Sequence, residues 1–356
     1  MASPEKVLEV VTNKLMALTD FINSVVGENG NTIGLARSTS IPSPNPIGGR
    51  LSFISGSPSM GNTAVVSGAA HYWVPYDGQY IPLWNGTNFI ITNMGGELSQ
   101  LATDTTKSPA AVAASSIYDI FGWVDGTTPR ATRGPVWSNS GGGTSARGAG
   151  AGTTELELVQ GYYVNKYDII NGPAARYGLY LGSIISDSSG TYTYTPSSDI
   201  NAAGVGSNIP IWNKYNKLDT SVYVTDTGAA FTYSTATIRA LRANSGFAID
   251  VLCGLPEDCL SINYIVYILT TAVATSNHRI AIGTNSTTAL DVNFGVGMAT
   301  GLSCRFSLVS DGSTDAALGY NRYTGLQCGD AATAVSCNNT PATTATKNIM
   351  SLEFLA

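Results

Sequence analysis

The first 27 residues carry apolar side chains at alternating intervals of three and four, the spacing of a coiled-coil seam. Ser3 is a suitable N-cap, Pro4 suits the first helical position, and Gly27 is a suitable stop. The pattern predicts one helix of about 23 residues, roughly 35 Å long. The predicted seam consists of Leu8, Val11, Leu15, Leu18, Ile22 and Val25.

A lone helix with this stripe would leave it exposed to water, and most helical stability comes from packing such a stripe. We therefore predict that residues 1–27 form a short bundle with identical chains. The alternative is a single amphipathic helix lying on its own β domain. Leucine occurs at both seam positions beside Ile or Val, so the seam does not fix the number of chains.

Beyond a polar, Pro- and Gly-rich linker over residues 28–47, the pattern changes to short β-prone runs separated by turn residues. Residues 191–195 alternate cleanly, which places Tyr192 and Tyr194 on one face. The runs predict strands at 51–54, 64–66, 80–84, 87–91, 117–124, 160–170, 176–185 and 191–195, and then at 221–225, 230–233, 247–253, 261–269, 279–282, 306–309 and 348–354.

Two runs carry further information. Residues 80–84 and 87–91 flank Asn85-Gly86, which predicts a hairpin with a type I′ turn, and Pro82 places its strand at an edge. Residues 261–269 are apolar on both faces, which predicts a core on one side and a neighbouring subunit on the other. We expect a mostly β fold: the N-terminal coiled-coil-like helix, then two antiparallel, jelly-roll-like β-sandwich domains over 48–205 and 206–356.

The composition of the chain excludes some classes of function. Charged residues are 12% of the chain, the net charge is −6, and glycine fills 39 of 356 positions. Such a chain is neither disordered nor a nucleic-acid binder. The N-terminus shows no secretory signal, and the longest strongly apolar run, 264–269, is too short for membrane insertion. We expect synthesis in a cytoplasm.

Residues that carry chemistry are few. Neither histidine, His71 or His278, has the neighbours of a general base, and both are expected to be packed or surface residues. Glu155 and Glu157 would share a strand face and suit acid–base work, but an exposed polar strand is the favoured interpretation. We predict no catalytic residue, no metal and no cofactor.

The cysteines lie in the last third of the chain, without a C-x-x-C pair. Two pairs each bracket a turn-rich loop, so Cys253 with Cys259 and Cys328 with Cys337 are candidate disulfides. Cys304 would remain single. The alternative is five buried thiols.

One segment favours recognition of a surface. Gly319 and Gly325 flank Tyr320, Arg322 and Tyr323, and exposed tyrosines give contact area at low entropic cost. A packed loop is the alternative. Residues 138–153, rich in glycine, are expected to be a flexible loop or an insertion.

Two segments resemble bacteriophage virion proteins of the tail or fibre type. They are Tyr76-Asp-Gly-Gln-Tyr-Ile-Pro-Leu-Trp-Asn-Gly-Thr-Asn-Phe89 and Ile211-Trp-Asn-Lys-Tyr-Asn-Lys-Leu-Asp219 with its continuation to residue 233, and residues 176–182 look similar. The resemblance covers roughly residues 48–270 and excludes both the glycine-rich segment 138–153 and the cysteine-bearing last third.

This resemblance implies a β-rich structural fibre protein of a virion, made in the host cytoplasm and attached to tail, collar or head. Its expected partners are itself, as a homotrimer, other virion proteins through the N-terminal segment, and a glycan or protein of the host surface. The alternatives are a polysaccharide-cleaving phage tailspike and a bacterial carbohydrate-binding protein.

Overall fold

The computed structural model describes residues 47–200, 204–269, 277–300, 305–329, 335–337 and 347–356. The predicted helix and seam over residues 1–27, the linker up to residue 46, and Cys304 lie outside the described residues. Residues Ile47–Ala356 belong to one compact unit. We call residues 48–205 the first half of this unit and residues 206–356 its second half.

The unit is mostly β, with several antiparallel sheets, as predicted. Its first strands are β1 (Gly49–Ser52), β2 (Val65–Gly68), β3 (Ala70–Pro75), β4 (Tyr80–Trp84), β5 (Phe89–Asn93), β6 (Leu98–Leu101), β7 (Ile117–Asp125), β8 (Thr128–Val136), β9 (Leu156–Val159), β10 (Tyr162–Asn165), β11 (Leu179–Ile185), β12 (Tyr192–Tyr194) and β13 (Ser197–Ile200). The later strands are β14 (Ser207–Ile209), β15 (Ile211–Asn213), β16 (Asp219–Asp226), β17 (Phe231–Tyr233), β18 (Arg239–Ala240), β19 (Ala248–Cys253), β20 (Cys259–Leu269), β21 (Asn277–Thr284), β22 (Gly297–Thr300), β23 (Arg305–Asp315), β24 (Gly319–Cys328), β25 (Val335–Cys337) and β26 (Asn348–Leu355). A short 3-10 helix covers Leu241–Ala243.

The main sheet of the first half has the order β8-β7-β11-β10-β9, with β15 also paired to β11. Its central strands β7 and β11 are buried along nearly their whole length, as strands are when both faces of a sheet are covered. Three smaller sheets complete the first half. Those smaller sheets are β1-β3-β6, β4-β5 and β12-β2. Tyr192 and Tyr194 on β12 are both buried, as the alternation predicted.

The second half contains two larger sheets. One has the order β13-β16-β26-β20-β25-β17 with β23 on β20, and the other β14-β19-β24-β21-β22 with β18 on β24. They pack through aromatic side chains: the rings of Phe247 and Tyr264 lie 5.6 Å apart. Gly325 on β24 fits there because a Cβ atom would stand 2.7 Å from the Phe247 ring.

The last strand shows how the sequence pattern sets a buried face. On β26, Met350, Leu352 and Phe354 are buried, whereas Glu353 is exposed, as the alternation predicted. On β20, Tyr264 is buried but Tyr267, on the opposite face, is only half-buried. The neighbouring subunit expected on that second face stays a prediction.

The two halves exchange strands across the predicted boundary at residues 205 and 206. β13, from the first half, pairs in parallel with β16, and β15, from the second half, pairs with β11. Trp212 on β15 is fully buried and stacks on Tyr180, with ring centroids 6.2 Å apart. One hydrophobic cluster therefore extends through both halves.

The predicted hairpin forms, but with a different turn. β4 and β5 pair antiparallel, and Pro82 lies in this two-stranded sheet, where every strand is an edge. The connection is a four-residue loop, in which Oδ1 of Asn85 accepts the N–H groups of Thr87 and Asn88, each at 2.9 Å. Gly86 alone has a positive φ (101°), so the type I′ prediction, which needs two such residues, was wrong.

Within the described ranges, no helix is long and apolar enough to cross a membrane.

Candidate functional site

The segment singled out for recognition is a strand, not a loop. β24 pairs with β19 and β21 in the interior of its sheet. Alternation places Tyr320 and Arg322 on one face, both partly buried, and Tyr323 on the other. Tyr323 is only 1% exposed and lies edge-on to Phe294, so its prediction as a surface residue was wrong.

Arg322 is held by a carboxylate on the neighbouring strand. Asp250 on β19 stands directly opposite Arg322 in the strand register. Nε and Nη2 of Arg322 donate to the two Asp250 oxygens, each at 2.7 Å. This two-bond geometry is the strongest form of an arginine–carboxylate pair. The hydrogen bonds that Arg322 donates to Asp250 hold the pKa of Arg322 well above its ordinary value.

Tyr320 is the third side chain of this group, beside Arg322 and Asp250. Burial raises the pKa of its hydroxyl far above the ordinary value, and the neighbouring Asp250 charge adds to the effect. Tyr320 therefore keeps its proton at any physiological pH. Its backbone N–H donates to Oγ of Ser145, 3.2 Å away, which ties the strand to the glycine-rich segment of the first half.

These side chains form the base of a cleft of about 730 Å³ between the two halves. Its other lining residues come from four parts of the chain, and most of them are small. They are Ser115; Ser140, Gly141 and Gly142; Ile185, Ser186, Asp187, Ser188 and Thr193; and Val205, Gly206, Asn208 and Pro210.

The glycine-rich wall is a folded segment whose ends pair through a bridge between Asn139 and Ala146. It lies directly on Asn285, since a Cβ atom added to Gly142 would stand 3.1 Å from Oδ1 of Asn285. The same Oδ1 accepts the backbone N–H of Arg322 at 2.9 Å. Because Gly142 has no side chain, the glycine-rich wall can lie close to Asn285, which in turn bonds the backbone of Arg322.

A buried charge pair, which the sequence analysis missed, anchors this wall. Arg147 extends from the glycine-rich segment to Asp119 on β7, with Nε 2.6 Å from Oδ2. Its guanidinium lies 4.4 Å from the centre of the Trp137 ring and also bonds the hydroxyl of Tyr180 and the carbonyl of Gly254. Burial opposes the charge on Arg147, but the Asp119 carboxylate outweighs it and raises the pKa of Arg147.

The opposite wall carries a charge of its own. Asp187 accepts four hydrogen bonds, from the backbone N–H of Ser189 and Thr191 and from the hydroxyls of Thr191 and Thr193, at 2.7 to 3.0 Å. Burial acts to raise the pKa of Asp187, but these bonds hold it below its usual range. In the part of the chain that the structure describes, no lysine or arginine forms an ion pair with Asp187.

Both histidines lie in the interior, as packed residues. Burial lowers the pKa of His71 to about 3, and the nearby guanidinium of Arg133 acts in the same direction. His71 is therefore neutral and shielded from solvent at physiological pH.

The two glutamates considered for acid–base chemistry have separate partners. Glu155 forms an ion pair with Lys166, and Glu157 with Arg176 at 2.8 Å. The hydrogen bond from Lys166 lowers the pKa of Glu155. Glu155 directly precedes β9 and Glu157 lies on it, and both are half-buried rather than exposed.

The cysteines occupy different environments. Cys253 and Cys259 are free thiols in the structure, one buried and one exposed, so the first candidate disulfide is not formed there. Burial raises the pKa of Cys253 to about 12. Sγ of Cys328 lies 3.0 Å from the carbonyl oxygen of Ala236. The pairing of Cys328 with Cys337 stays a prediction, because the side chain of Cys337 is not among those that the structure describes.

Among the residues that the structure describes, no three His, Cys, Asp or Glu side chains are grouped to hold a metal ion.

No protein-family model matches the chain, and no curated protein matches it in sequence. Among solved structures, a Bacillus thuringiensis Cry1Da tryptic core variant matches 81% of this chain at 10% identity, with a TM-score of 0.15. The match spans 48% of that chain. The structure itself shows a mostly β protein with a cleft between its two halves.

Proposed function

We propose that the protein is a structural, fibre-like component of a bacteriophage particle that contacts the host surface through the cleft. The N-terminal seam would join chains into a homotrimer and attach them to the particle. The two halves would project as jelly-roll-like antiparallel sandwiches. The observation that carries the host-contact role is the convergence of Tyr320, Arg322 and a wall rich in serine and threonine on one cleft.

Binding without chemistry is the function that the cleft supports best. A polysaccharide-cleaving site needs a carboxyl group that keeps its proton near neutral pH. Asp187 has a lowered pKa, and Asp250 is engaged by both donors of Arg322. Several weak contacts on one particle raise avidity without catalysis.

The assembly part of the proposal is tested by native mass. The full chain is expected as a trimer and a variant beginning at residue 47 as a monomer, because the seam supplies the contacts. If both species are strict monomers, the bundle and the fibre assignment are wrong.

The host-contact part is tested by competition. Purified full chain is added to host cells before the phage, and is expected to reduce adsorption, whereas Tyr320→Ala protein is expected to lose this effect. Tyr223→Ala is the matched control, since Tyr223 is 43% exposed on β16, outside the cleft lining. Equal competition by Tyr320→Ala and the unmodified chain would exclude the cleft. Release of reducing ends from host capsule would indicate the tailspike alternative.

A further inference from the structure

We infer that the cleft selects an uncharged oligosaccharide over an acidic one. This inference rests on the proposed function, since it names the class of ligand that the host-contact cleft takes. It is carried by the charge arrangement of three side chains, Asp187, Asp250 and Arg322, together with the hydroxyl groups around them.

The size and the surface of the cleft fit a sugar. Its volume of about 730 Å³ lies within the range of small-ligand sites. Ser115 and Ser188 present exposed hydroxyls at one wall, and such groups both donate and accept hydrogen bonds, as sugar hydroxyls do. Tyr320 adds an apolar ring with a proton-bearing hydroxyl, which gives contact area at low entropic cost.

Among the described residues that line the cleft, Arg322 alone carries a positive charge, and it is already engaged. Two donors of Arg322 point to Asp250, and the pair is fixed by the strand register that places the two residues opposite each other. The Asp250 carboxylate, which is only 8% exposed, therefore already balances the charge of the guanidinium. A ligand carboxylate that used the remaining N–H donors of Arg322 would also meet the Asp250 charge, and displacing Asp250 would leave a buried carboxylate without its partner, so Arg322 is a poor receptor for an acidic sugar.

The remaining charge in the cleft is negative. Asp187 is ionised, and its four hydrogen bonds come from N–H and hydroxyl groups of neutral residues. A uronic acid entering the cleft would meet this charge, and like charges brought together disfavour the wrong partner. Rejection of acidic sugars is therefore part of the site.

The test compares neutral sugars with their corresponding uronic acids, which differ from them only at one carbon. Full-length protein is titrated calorimetrically with hexamers of glucose, mannose and galactose, and with hexamers of glucuronic, mannuronic and galacturonic acid. We expect at least one neutral hexamer to bind about tenfold or more tightly than its acidic partner. The affinity of the neutral hexamer should change little between low and high salt, because no ligand charge is screened.

Variants distinguish the contribution of the Tyr320 side chain to binding from that of the charged side chains. Tyr320→Ala is expected to weaken the neutral hexamer about tenfold, while Tyr223→Ala leaves it unchanged. Asp250→Asn frees one side of the Arg322 guanidinium and should strengthen binding of the acidic hexamer. Asp187→Asn, which does not touch the ion pair, should move acidic binding in the same direction and serves if Asp250→Asn fails to fold.

Two results overturn the inference: an acidic hexamer that binds as tightly as its neutral partner, or no binding by any neutral hexamer. Neither result decides the proposed function, which depends on whether Tyr320→Ala abolishes competition for host cells. Loss of that competition together with tight acidic binding would keep the host-contact role and reverse the ligand class.

Discussion

The buried guanidinium of Arg133 sets the chemistry of its neighbours. It is 1% exposed, and it donates to the carbonyl oxygens of Leu101 at 2.8 Å and Asp104 at 2.9 Å. These carbonyls stabilise the charge in place of a carboxylate. A second cation nearby is therefore disfavoured, and His71, whose ring is fully buried, must stay neutral for the fold to persist.

The low pKa of His71 predicts acid sensitivity. The folded-state pKa, about 3, lies below the ordinary 6.5, so the unfolded chain takes up the proton first as the pH falls. The stability contributed by neutral His71 is fully present above pH 6.5 and is lost at roughly 1.4 kcal/mol per pH unit toward pH 3. Urea unfolding of His71→Gln between pH 7 and pH 4 should show a shallower decline than the unmodified chain.

The comparison of the two pH profiles removes the contribution of the carboxylates, which both proteins share. Parallel profiles would mean that His71 is not the group responsible.

One glycine on β11 allows this strand to pack closely against β15. The register of β11 against β7 shifts between Tyr180 and Gly182, which marks a bulge. Gly182 has a φ of 154°, and a Cβ atom there would stand 2.2 Å from the carbonyl oxygen of Trp212 on β15. The backbones of the two halves approach at this point because no side chain intervenes.

We expect Gly182→Ala to destabilise the protein by about 2 kcal/mol or more, because backbone must move at the junction. Gly126→Ala is the matched control. Gly126 also has a positive φ (62°), but nothing lies within 4 Å of the added methyl group, so only its backbone strain of roughly 1 kcal/mol remains. Thermal unfolding of both variants measures the difference, and equal losses would show that crowding at β15 is unimportant.

The unit from Ile47 to Ala356 is held together by strands of each half that pair with strands of the other half. β13 leaves the first half to extend a sheet of the second, and β15 returns to the first. The ion pair of Arg147 with Asp119 and its bond to the carbonyl of Gly254 add polar contacts across the same junction. Neither half contains a complete set of its own sheets.

We therefore expect residues 48–205 and 206–356, expressed separately, to be unfolded or aggregated, since each fragment exposes apolar surface and unpaired strand edges. The unit from residue 47 to 356 should unfold in one transition when followed by tryptophan fluorescence and far-ultraviolet dichroism. Two separate transitions, or a fragment with native-like dispersion in its amide spectrum, would support the predicted division into two domains.

The positions of many strands were predictable because burial on a pleated surface leaves a period of two in the sequence. β12 and β26 follow that pattern closely. β24 was missed: Gly319 and Gly325 indicated a loop, yet Gly325 is required by the close approach of the Phe247 ring. A local pattern cannot distinguish a glycine of a turn from a glycine of a crowded strand.

The sequence by itself determined the β class and the alternating faces of strands such as β12 and β26, because these depend on local polarity. Only the tertiary structure decided that Arg322 faces Asp250, that Tyr323 is interior and that a glycine-rich segment forms the wall of a cleft. Those features depend on register and on contacts between residues such as Ser145 and Tyr320. Such residues are distant in the chain, and no spacing rule connects them.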